Sequence, residues 1–314
     1  MTNVPNIVDL MDDLDLFGCW FRGDSWRAWR IALKSAFGLH LEDAELAIYR
    51  GATGRTHAMS QAVTELWLAI GRRGGKSLIA AFVAVYLACF RDYSPFLAPG
   101  ERATIMLIAA DRKQARVVFR YIYAFLTEIK MLAGLITRRT AELIELANRV
   151  TIEVHTASFR SVRGYTLAAV INDEIAFWNV EDSAQPDKEI LVAQRPALTT
   201  IPGALMLNIS SPYARRGTMF AAFEDYYGKD ASDVLFWKAP SRALPEQHAS
   251  VEMNPLIDLE IVRRAYEEDA PAAASEWGAN FRSDVEQLFT LEMLERITDY
   301  DRPGILPYEE EEVA

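Results

Sequence analysis

The chain has 314 residues, 51% of them hydrophobic and 25% charged, which is typical of one large or two small globular domains. Its formal net charge of -11 excludes a surface that attracts nucleic acid as a whole, so any polyanion must be bound by local basic clusters. Two cysteines are too few for a disulfide framework, the N-terminus is too acidic for a signal peptide, and the longest apolar run, residues 78–90, is too short to span a bilayer. We therefore expect a soluble, cytoplasmic protein.

Residues 1–60 show the amphipathic pattern of helices, and the glycine-containing stretch at residues 50–55 marks a loop. After this loop, short apolar runs predict strands and two longer segments predict helices. Strands that alternate with helices indicate βαβ units, and hence an α/β fold with a mostly parallel sheet sandwiched by helices. From about Pro240, prolines interrupt short acidic helical segments, which indicates a smaller subdomain or a linker. The predicted strands are residues 65–70, 103–110, 149–154, 167–171, 204–210 and 234–238, and the predicted helices are residues 78–90 and 113–132.

The sequence GRRGGKS, residues 71–77, joins a predicted strand to a predicted helix. The start of a helix presents unpaired N–H groups and a partial positive charge, and both favour a bound phosphate. Gly71, Gly74 and Gly75 would allow the backbone to fold so that several N–H groups converge on one phosphate. The order of strand, glycine turn, Lys-Ser and helix therefore predicts a phosphate-binding loop for a nucleotide.

Two side chains after the glycines would complete this loop. Lys76 would reach the β- and γ-phosphates, and the hydroxyl of Ser77 would be a ligand of Mg²⁺. The usual spacing of the motif requires a glycine at position 70, where the chain has Ile70. From the residues alone, the alternative is a chance glycine turn in which Arg72 and Arg73 are surface charges.

An acidic pair follows the apolar run at residues 167–171. Asp173 would lie at the end of that strand and hold Mg²⁺ beside Ser77, while Glu174 would face the γ-phosphate as a general base or as a residue that positions water. An Asp-Glu pair after a strand is common, but here it follows the glycine turn by about one hundred residues in an alternating α/β chain. The adjacent glutamate favours the additional-strand class of P-loop ATPases over small GTPases and kinases.

Further candidates carry a positive charge or a hydroxyl group. Hydrolysis of ATP needs positive charge at the γ-phosphoryl group, often from an arginine of a neighbouring subunit. Ser210 and Ser211 end a predicted strand, where their hydroxyls could report the γ-phosphate, although a serine before a proline also commonly begins a turn. The arginine candidates are Arg72, Arg73, Arg160 and Arg163, each of which could equally be a surface charge.

Together these residues resemble the ATPase domain of large terminase subunits, the motors that package DNA into the capsids of tailed phages and herpesviruses. The resemblance covers roughly residues 15–290. In that family the phosphate-binding motif commonly has an arginine four residues before the lysine, which is the position of Arg72. The resemblance implies that Arg163 is an arginine finger that acts on the neighbouring subunit, and that Ser210 and Ser211 belong to the segment that couples hydrolysis to motion. The matching segments are Arg72-x-x-Gly75-Lys76-Ser77, Ser161-x-Arg163-Gly164, Asp173-Glu174, Ser210-Ser211-Pro212 and the aromatic stretch at residues 17–39.

The resemblance also implies an organisation, a substrate and partners. It divides the chain into an N-terminal helical segment (residues 1–60), an ATPase core (residues 61–240) and a lid with a linker (residues 241–314). It implies ATP with Mg²⁺, and a contact of Gln61 with the adenine base unless Gln61 is a plain surface residue. The implied partners are double-stranded DNA, a portal protein and a small terminase subunit, and the active form would be a homo-oligomeric ring in the cytoplasm of the host cell.

Family members carry a second domain, a nuclease with acidic metal ligands, and the chain stops near the point where that domain would begin. We interpret the acidic residues near the C-terminus as solvated charges and expect no nuclease activity from this chain; they are Asp284, Glu286, Asp299 and Asp301. The sequence thus predicts an ATP-hydrolysing motor that contacts the DNA backbone without sequence specificity. A helicase-like ATPase and a nucleotide-binding assembly protein are the alternatives. The residues that could supply local positive charge are Arg112, Lys113, Arg138, Arg139, Arg215 and Arg216.

Overall fold

A single sheet organises the protein. The computed structural model describes residues 5–157, 164–178 and 186–283, and within these residues eight strands belong to this sheet. In chain order the strands are β1 (Glu65–Ile70), β2 (Ala103–Ala109), β3 (Ile136–Arg139), β4 (Leu143–Leu146), β5 (Val150–Thr156), β6 (Thr166–Asp173), β7 (Leu205–Ser210) and β8 (Val234–Ala239). Across the sheet they lie in the order β3-β4-β5-β2-β6-β7-β1-β8. Strand β7 therefore separates β1, which precedes the glycine turn, from β6, which ends in the acidic pair.

Six neighbouring strands pair in parallel, in the order β5, β2, β6, β7, β1 and β8. Strands β3 and β4 add an antiparallel hairpin at one edge. All seven residues of β2 are buried, as is typical of a parallel strand that helices cover on both faces. The predicted mostly parallel α/β sheet is thus confirmed, and each predicted strand has a counterpart. The β3–β4 hairpin was not predicted, because its strands are short and partly exposed.

Ten α-helices lie within the described residues. Helix α4 is apolar on all sides and almost entirely buried, which explains why its sequence lacks an amphipathic pattern. The predicted helix at residues 113–132 is divided in two, because the backbone leaves the helical conformation at Ile129. The helices are α1 (Ile7–Asp12), α2 (Arg27–Ala36), α3 (Asp43–Thr53), α4 (Lys76–Phe90), α5 (Arg112–Glu128), α6 (Lys130–Ala133), α7 (Pro186–Leu198), α8 (Gly217–Tyr226), α9 (Leu259–Glu268) and α10 (Ala270–Glu276).

The N-terminal helices share one hydrophobic core with α4 and α5, on the face of the sheet toward which Leu66 and Leu68 of β1 point. Phe17 lies edge-on to Phe82 of α4 and to Phe125 of α5, with ring centroids 4.7 and 5.3 Å apart. A second core on the other face contains residues of α7 and α8. The N-terminal segment is therefore held by the same core that holds the helix after the glycine turn.

After β8 the chain passes through a 3-10 turn at Pro245–Gln247, then α9 and α10, and comes back to the end of β1. The amide of Ser241 donates a hydrogen bond to the carbonyl oxygen of Trp277 at 2.9 Å, and the amide of Gly71 donates one to the carbonyl oxygen of Ala239 at 3.3 Å. The segment after β8 thus lies directly beside the glycine turn. None of the helices in the described ranges is long and apolar enough to cross a membrane.

Candidate functional site

The glycine turn between β1 and α4 is closed and closely surrounded. Gly75, the residue before α4, has a φ of +90°, and a β-carbon there would lie 3.1 Å from atoms of two tryptophan side chains. A β-carbon on Gly71 would collide with the carbonyl oxygen of Trp277. The amide of Gly74 donates to the carbonyl oxygen of Gly71 at 3.2 Å, which closes the turn. Glycine is therefore required at positions 71 and 75, for close approach at the first and for backbone conformation at the second.

Lys76 is the first residue of α4, and only 8% of it is exposed. Its Nζ donates hydrogen bonds to the carbonyl oxygens of Ile70 at 3.0 Å and Gly71 at 3.3 Å, and to Ser211 Oγ at 2.8 Å. Burial lowers the pKa of Lys76, and the negative charges of the nearby acidic pair act in the opposite direction. The lysine therefore points inward at the base of the turn, where neutral oxygens hold it close to two carboxylates.

The acidic pair lies at the carboxyl end of β6. Asp173 is 7% exposed, and burial together with repulsion from Glu174 raises its pKa from 3.8 to about 7, against the attraction of Lys76. Glu174 has a φ of +51°, a left-handed conformation that costs roughly 1–3 kcal/mol in a residue other than glycine. Such strain persists only where the surroundings impose it, and it concentrates at functional sites.

Two serines at the end of β7 connect the acidic pair to the lysine. Ser210 Oγ donates to Glu174 Oε2 at 2.9 Å, and the amide of Ser211 donates to the same oxygen at 3.3 Å. Ser211 Oγ also accepts the hydrogen bond from Lys76 Nζ. A movement of the Glu174 carboxylate would therefore change the contacts of both serines and, through Ser211, those of Lys76.

The residue types at this place fit a nucleotide with Mg²⁺. Mg²⁺ prefers oxygen ligands such as the carboxylate of Asp173 and the hydroxyl of Ser77, which lies in the first turn of α4. The carboxyl group of Asp173 is buried next to a second carboxylate, and a divalent cation beside it would favour its ionised form. No group of three or more His, Cys, Asp or Glu side chains in the described residues could hold a metal ion alone, but Mg²⁺ on a nucleotide commonly needs only one or two protein carboxylates.

The two arginines of the turn point outward. Arg72 is exposed, and its Nη1 lies 3.2 Å from Glu276 Oε2 at the end of α10. Arg73 is also exposed and has a φ of +63°, and its carbonyl oxygen accepts a hydrogen bond from Asn254 Nδ2 at 2.9 Å. The sequence predicted neither partner, because they follow the turn by 204 and 181 residues and no local pattern marks them.

A third contact to the turn comes from the N-terminal segment. Trp29 on α2 is fully buried, and its Nε1 donates a hydrogen bond to the carbonyl oxygen of Gly74 at 2.7 Å. The aromatic stretch at residues 17–39 was noted in the sequence, but its pattern did not show which ring would reach the turn. The glycine turn is therefore held from both the N-terminal and the C-terminal side.

Other predicted residues lie away from these contacts or outside the described ranges. Gln61 has an exposed side chain, and its backbone passes close to Gly38 at the end of α2, so its contact with adenine stays a prediction. Arg160 and Arg163 lie outside the described residues, and the arginine finger also stays a prediction. The acidic residues that also lie outside them are Asp284, Glu286, Asp299 and Asp301.

The basic residues considered for DNA have varied surroundings. Arg138 forms an ion pair with Glu145 at 3.1 Å, and the guanidinium group of Arg139 lies 3.6 Å from the centroid of the Tyr123 ring. Lys113, Arg215 and Arg216 are exposed, whereas the side chain of Arg112 is outside the described part. Their role in DNA binding stays a prediction.

Comparisons with known proteins concern the family and the fold. The model of a family described as "Uncharacterized protein MJ0330, N-terminal P-loop domain" matches residues 41–278. No curated protein sequence matches the chain.

Among solved structures, the chain is similar to the ATPase domain of the large terminase of Thermus phage P74-26, with 18% identity and a TM-score of 0.50. The match covers 79% of this chain and 97% of that chain. A mutant of the same domain gives 16% identity with the same TM-score and coverage. The large terminase of bacteriophage HK97 is similar with 17% identity and a TM-score of 0.53; the match covers 82% of this chain and 55% of that one. At these identities the similarity shows the fold alone. The family model describes a P-loop domain, and in this sheet β7 lies between β6 and β1.

Proposed function

Because the chain belongs to the family of the MJ0330 N-terminal P-loop domain, we propose that it is the ATP-hydrolysing motor domain of a phage large terminase. Such a motor would drive double-stranded DNA into a procapsid in the host cytoplasm, with a portal protein and a small terminase subunit as partners. The observation that carries the proposal is the bridge of Ser210 and Ser211 between Lys76 and Glu174. The fold similarity to the P74-26 and HK97 large terminases supports DNA packaging over other tasks of a P-loop ATPase.

Binding of ATP would use the start of α4. The amides of residues 74–77 and the ammonium group of Lys76 surround the phosphates, and a charged phosphate oxygen is a stronger acceptor for Lys76 than the neutral oxygens that hold it. Ser77 and Asp173 would hold Mg²⁺, which when bound neutralises charge on the phosphate oxygens. The adenine base would contact Gln61.

Hydrolysis would use the acidic pair. A water molecule attacks the γ-phosphorus, and the bond from this phosphorus to the oxygen shared with the β-phosphate breaks, so that ADP and inorganic phosphate leave. Glu174 orients the water and accepts its proton. The same carboxylate contacts Ser210 and Ser211, so its rearrangement as phosphate leaves would pass to the end of β7. The segment after β8 would act as a lid.

The remaining positive charge would come from Arg163 of a neighbouring subunit in a ring. An arginine finger contributes about 10³–10⁵ to the rate, so the isolated subunit should hydrolyse ATP slowly. We expect a mixture of Arg163→Ala and Glu174→Ala subunits to recover part of the activity that each variant lacks, because some interfaces then combine an intact arginine with an intact glutamate. An inactive mixture would argue that the arginine does not act in trans.

Steady-state ATP hydrolysis at increasing protein concentration, with and without double-stranded DNA, tests the function. We expect the activity per subunit to rise steeply as subunits associate, and to rise further with double-stranded DNA. A flat, slow rate would indicate the assembly-protein alternative, and stimulation by single-stranded DNA alone would indicate the helicase-like alternative.

The assignment of the site has its own test, the variant Lys76→Ala. Loss of a charged donor at the developing charge should reduce ATP hydrolysis by about 100-fold or more. Lys238→Ala is the matched control, because Lys238 is a partly buried lysine on the neighbouring strand β8 that bonds Asn280 at 2.8 Å. Full activity of Lys76→Ala would show that the nucleotide site lies elsewhere.

A further inference from the structure

The hydrogen bond from Trp29 to the glycine turn is not a general property of buried tryptophans in this protein. Trp67 and Trp237 are also buried, at 1% and 0% exposure, yet their Nε1 atoms have no hydrogen-bond partner within the described part of the chain. Trp29, at 0% exposure, instead donates to Gly74 at 2.7 Å across 45 residues of sequence. The indole therefore meets a specific acceptor, one that belongs to the phosphate-binding loop.

The hydrogen bond from Trp29 to the carbonyl oxygen of Gly74 determines where the N–H group of Gly75 points. In a trans peptide the C=O of one residue and the N–H of the next lie in one plane and point in opposite directions. Since the carbonyl oxygen of Gly74 points to Trp29, the N–H of Gly75 must point away from it. Gly75 is the residue immediately before α4, so this N–H is one of the group that converges on a phosphate at the start of the helix.

Packing of aromatic rings also holds the Gly74–Gly75 peptide in this orientation. A β-carbon on Gly75 would lie 3.1 Å from Trp29 Nε1 and 3.1 Å from Trp26 Cζ3, so both rings lie directly against this residue. Trp26 in turn packs edge-on against Phe21, with ring centroids 4.9 Å apart, and Phe21 packs on Phe82 of α4 at 5.1 Å. A peptide that flipped to turn its carbonyl toward the phosphate would lose the bond to the indole and would have little space to move.

We propose that Trp29 is a positioning residue for nucleotide binding, which holds the Gly74–Gly75 peptide with its carbonyl turned away from the triphosphate and its N–H turned toward it. The inference rests on the proposed function, because it assumes that a triphosphate binds at residues 74–77. It gives the N-terminal helical segment a part in the ATP site, although no atom of Trp29 needs to touch the nucleotide.

The test compares Trp29→Phe with Trp237→Phe. Each variant removes one indole N–H and a similar part of a buried ring, but only the first removes a hydrogen bond. Binding of ATP and Mg²⁺ is measured by titration calorimetry, hydrolysis by steady-state kinetics, and folding by thermal unfolding. We expect Trp29→Phe to bind ATP about 5- to 10-fold more weakly and to raise KM by a similar factor, with little change in kcat. Trp237→Phe should lower only the unfolding temperature.

The outcomes separate the inference from the function on which it rests. If the wild-type protein binds ATP and Trp29→Phe binds it equally tightly, the inference is wrong and the function stands. If the wild-type protein binds no ATP, both are wrong. If Trp29→Phe does not fold, site-specific replacement of Trp29 by 3-benzothienylalanine keeps the shape of the ring without its N–H; weaker binding by this variant supports the inference, and unchanged binding overturns it.

Discussion

Two largely buried polar clusters lie next to each other on the neighbouring strands β6 and β7, and they differ in charge. The end cluster lies at the carboxyl ends of the strands, and the amide cluster lies one position earlier on β6 and two positions earlier on β7. The end cluster consists of Lys76, Asp173, Glu174, Ser210 and Ser211, and the amide cluster consists of Asn172, Gln194 and Asn208.

The amide cluster is neutral and its members bond to one another. Asn172 Nδ2 lies 2.8 Å from Gln194 Oε1 and 2.7 Å from Asn208 Oδ1, and Gln194 Nε2 donates back to Asn172 Oδ1 at 2.9 Å. All three side chains have 0% exposure. Asn208 Nδ2 is the one amide atom of the cluster without a partner in the described residues, and the other bonds hold β6, β7 and α7 in one register.

The end cluster, by contrast, combines one buried lysine with two carboxylates, a raised pKa at Asp173 and a strained backbone at Glu174. Four of the five members of the end cluster are buried, as are all three of the amide cluster, so burial alone does not separate the two clusters. The end cluster differs from the amide cluster in its charged groups and in the strained backbone of Glu174, and both features are typical of functional sites. A ligand that brings phosphate and a divalent cation would pair with the charged groups of the end cluster.

The largest expected effect in this comparison is on catalysis. Glu174→Gln keeps the size of the side chain but cannot accept a proton from water, so we expect ATP hydrolysis to fall by about 10²–10⁴-fold while ATP binding is retained. Steady-state turnover and equilibrium binding measured on the same preparation check both parts. Glu224→Gln, an exposed glutamate on α8, is the control for loss of one carboxylate. Retained turnover in Glu174→Gln would remove the glutamate from the mechanism.

The next effect is on stability and its dependence on pH. With a pKa near 7, Asp173 keeps its proton in the folded protein up to about pH 7, whereas in the unfolded chain it loses the proton above its ordinary 3.8. The folded state then binds more protons in this window, so ionisation of Asp173 makes the protein without nucleotide less stable as the pH rises from about 4 to about 7. The variant Asp173→Asn has no carboxyl group at this position, so its stability does not fall for this reason as the pH rises.

Urea unfolding of Asp173→Asn and the wild-type protein at pH 5 and pH 8 measures this difference. We expect the variant to gain stability relative to the wild type by about 2–3 kcal/mol between these two pH values, since each pKa unit corresponds to about 1.4 kcal/mol. Asp225→Asn, an exposed aspartate on α8, controls for the change in net charge. If the free energies of unfolding of the variant and the wild type differ by the same amount at both pH values, Asp173 is already ionised at pH 5 and its pKa is not raised.

The smallest effect is expected for a substitution in the amide cluster, which should lower stability without changing ATP hydrolysis. Gln194→Leu leaves the amide of Asn172 with fewer partners in a buried place, so we expect the free energy of unfolding to fall by about 1–3 kcal/mol. The ATP affinity and kcat should not change, and Gln114→Leu, at an exposed glutamine on α5, should change neither stability nor activity. A large loss of kcat in Gln194→Leu would contradict a purely structural amide cluster.

The extent to which the sequence predicted the fold follows from the burial of each element. Strands such as β1 and β2 are short apolar runs with both faces covered, and they were predicted within one residue of their ends. The hairpin of β3 (ITRR) and β4 (LIEL) mixes exposed polar with apolar residues at a sheet edge, so it gave no comparable signal. Helix α7 was missed as well, since its sequence contains prolines at its start and near its end.

The candidate site shows the same division between local and distant information. The sequence predicted Lys76, Asp173, Glu174, Ser210 and Ser211 because each follows an apolar strand, and the structure brings them together. Contacts made by Trp29, Asn254 and Glu276 depend on how distant segments fold back on the turn, and a single sequence does not encode that as a local pattern. Arg163 and Gln61 stay predictions.

The way in which distant segments hold the glycine turn has a consequence for the synthesis of the chain on a ribosome. β1 pairs with β7 and β8, and the loop after it bonds to Ala239, Asn254 and Glu276, all of which are translated more than one hundred residues later. Contacts of such long separation form late in folding. We therefore expect a nascent chain that has already exposed GRRGGKS to remain unable to bind ATP until α10 has left the exit tunnel.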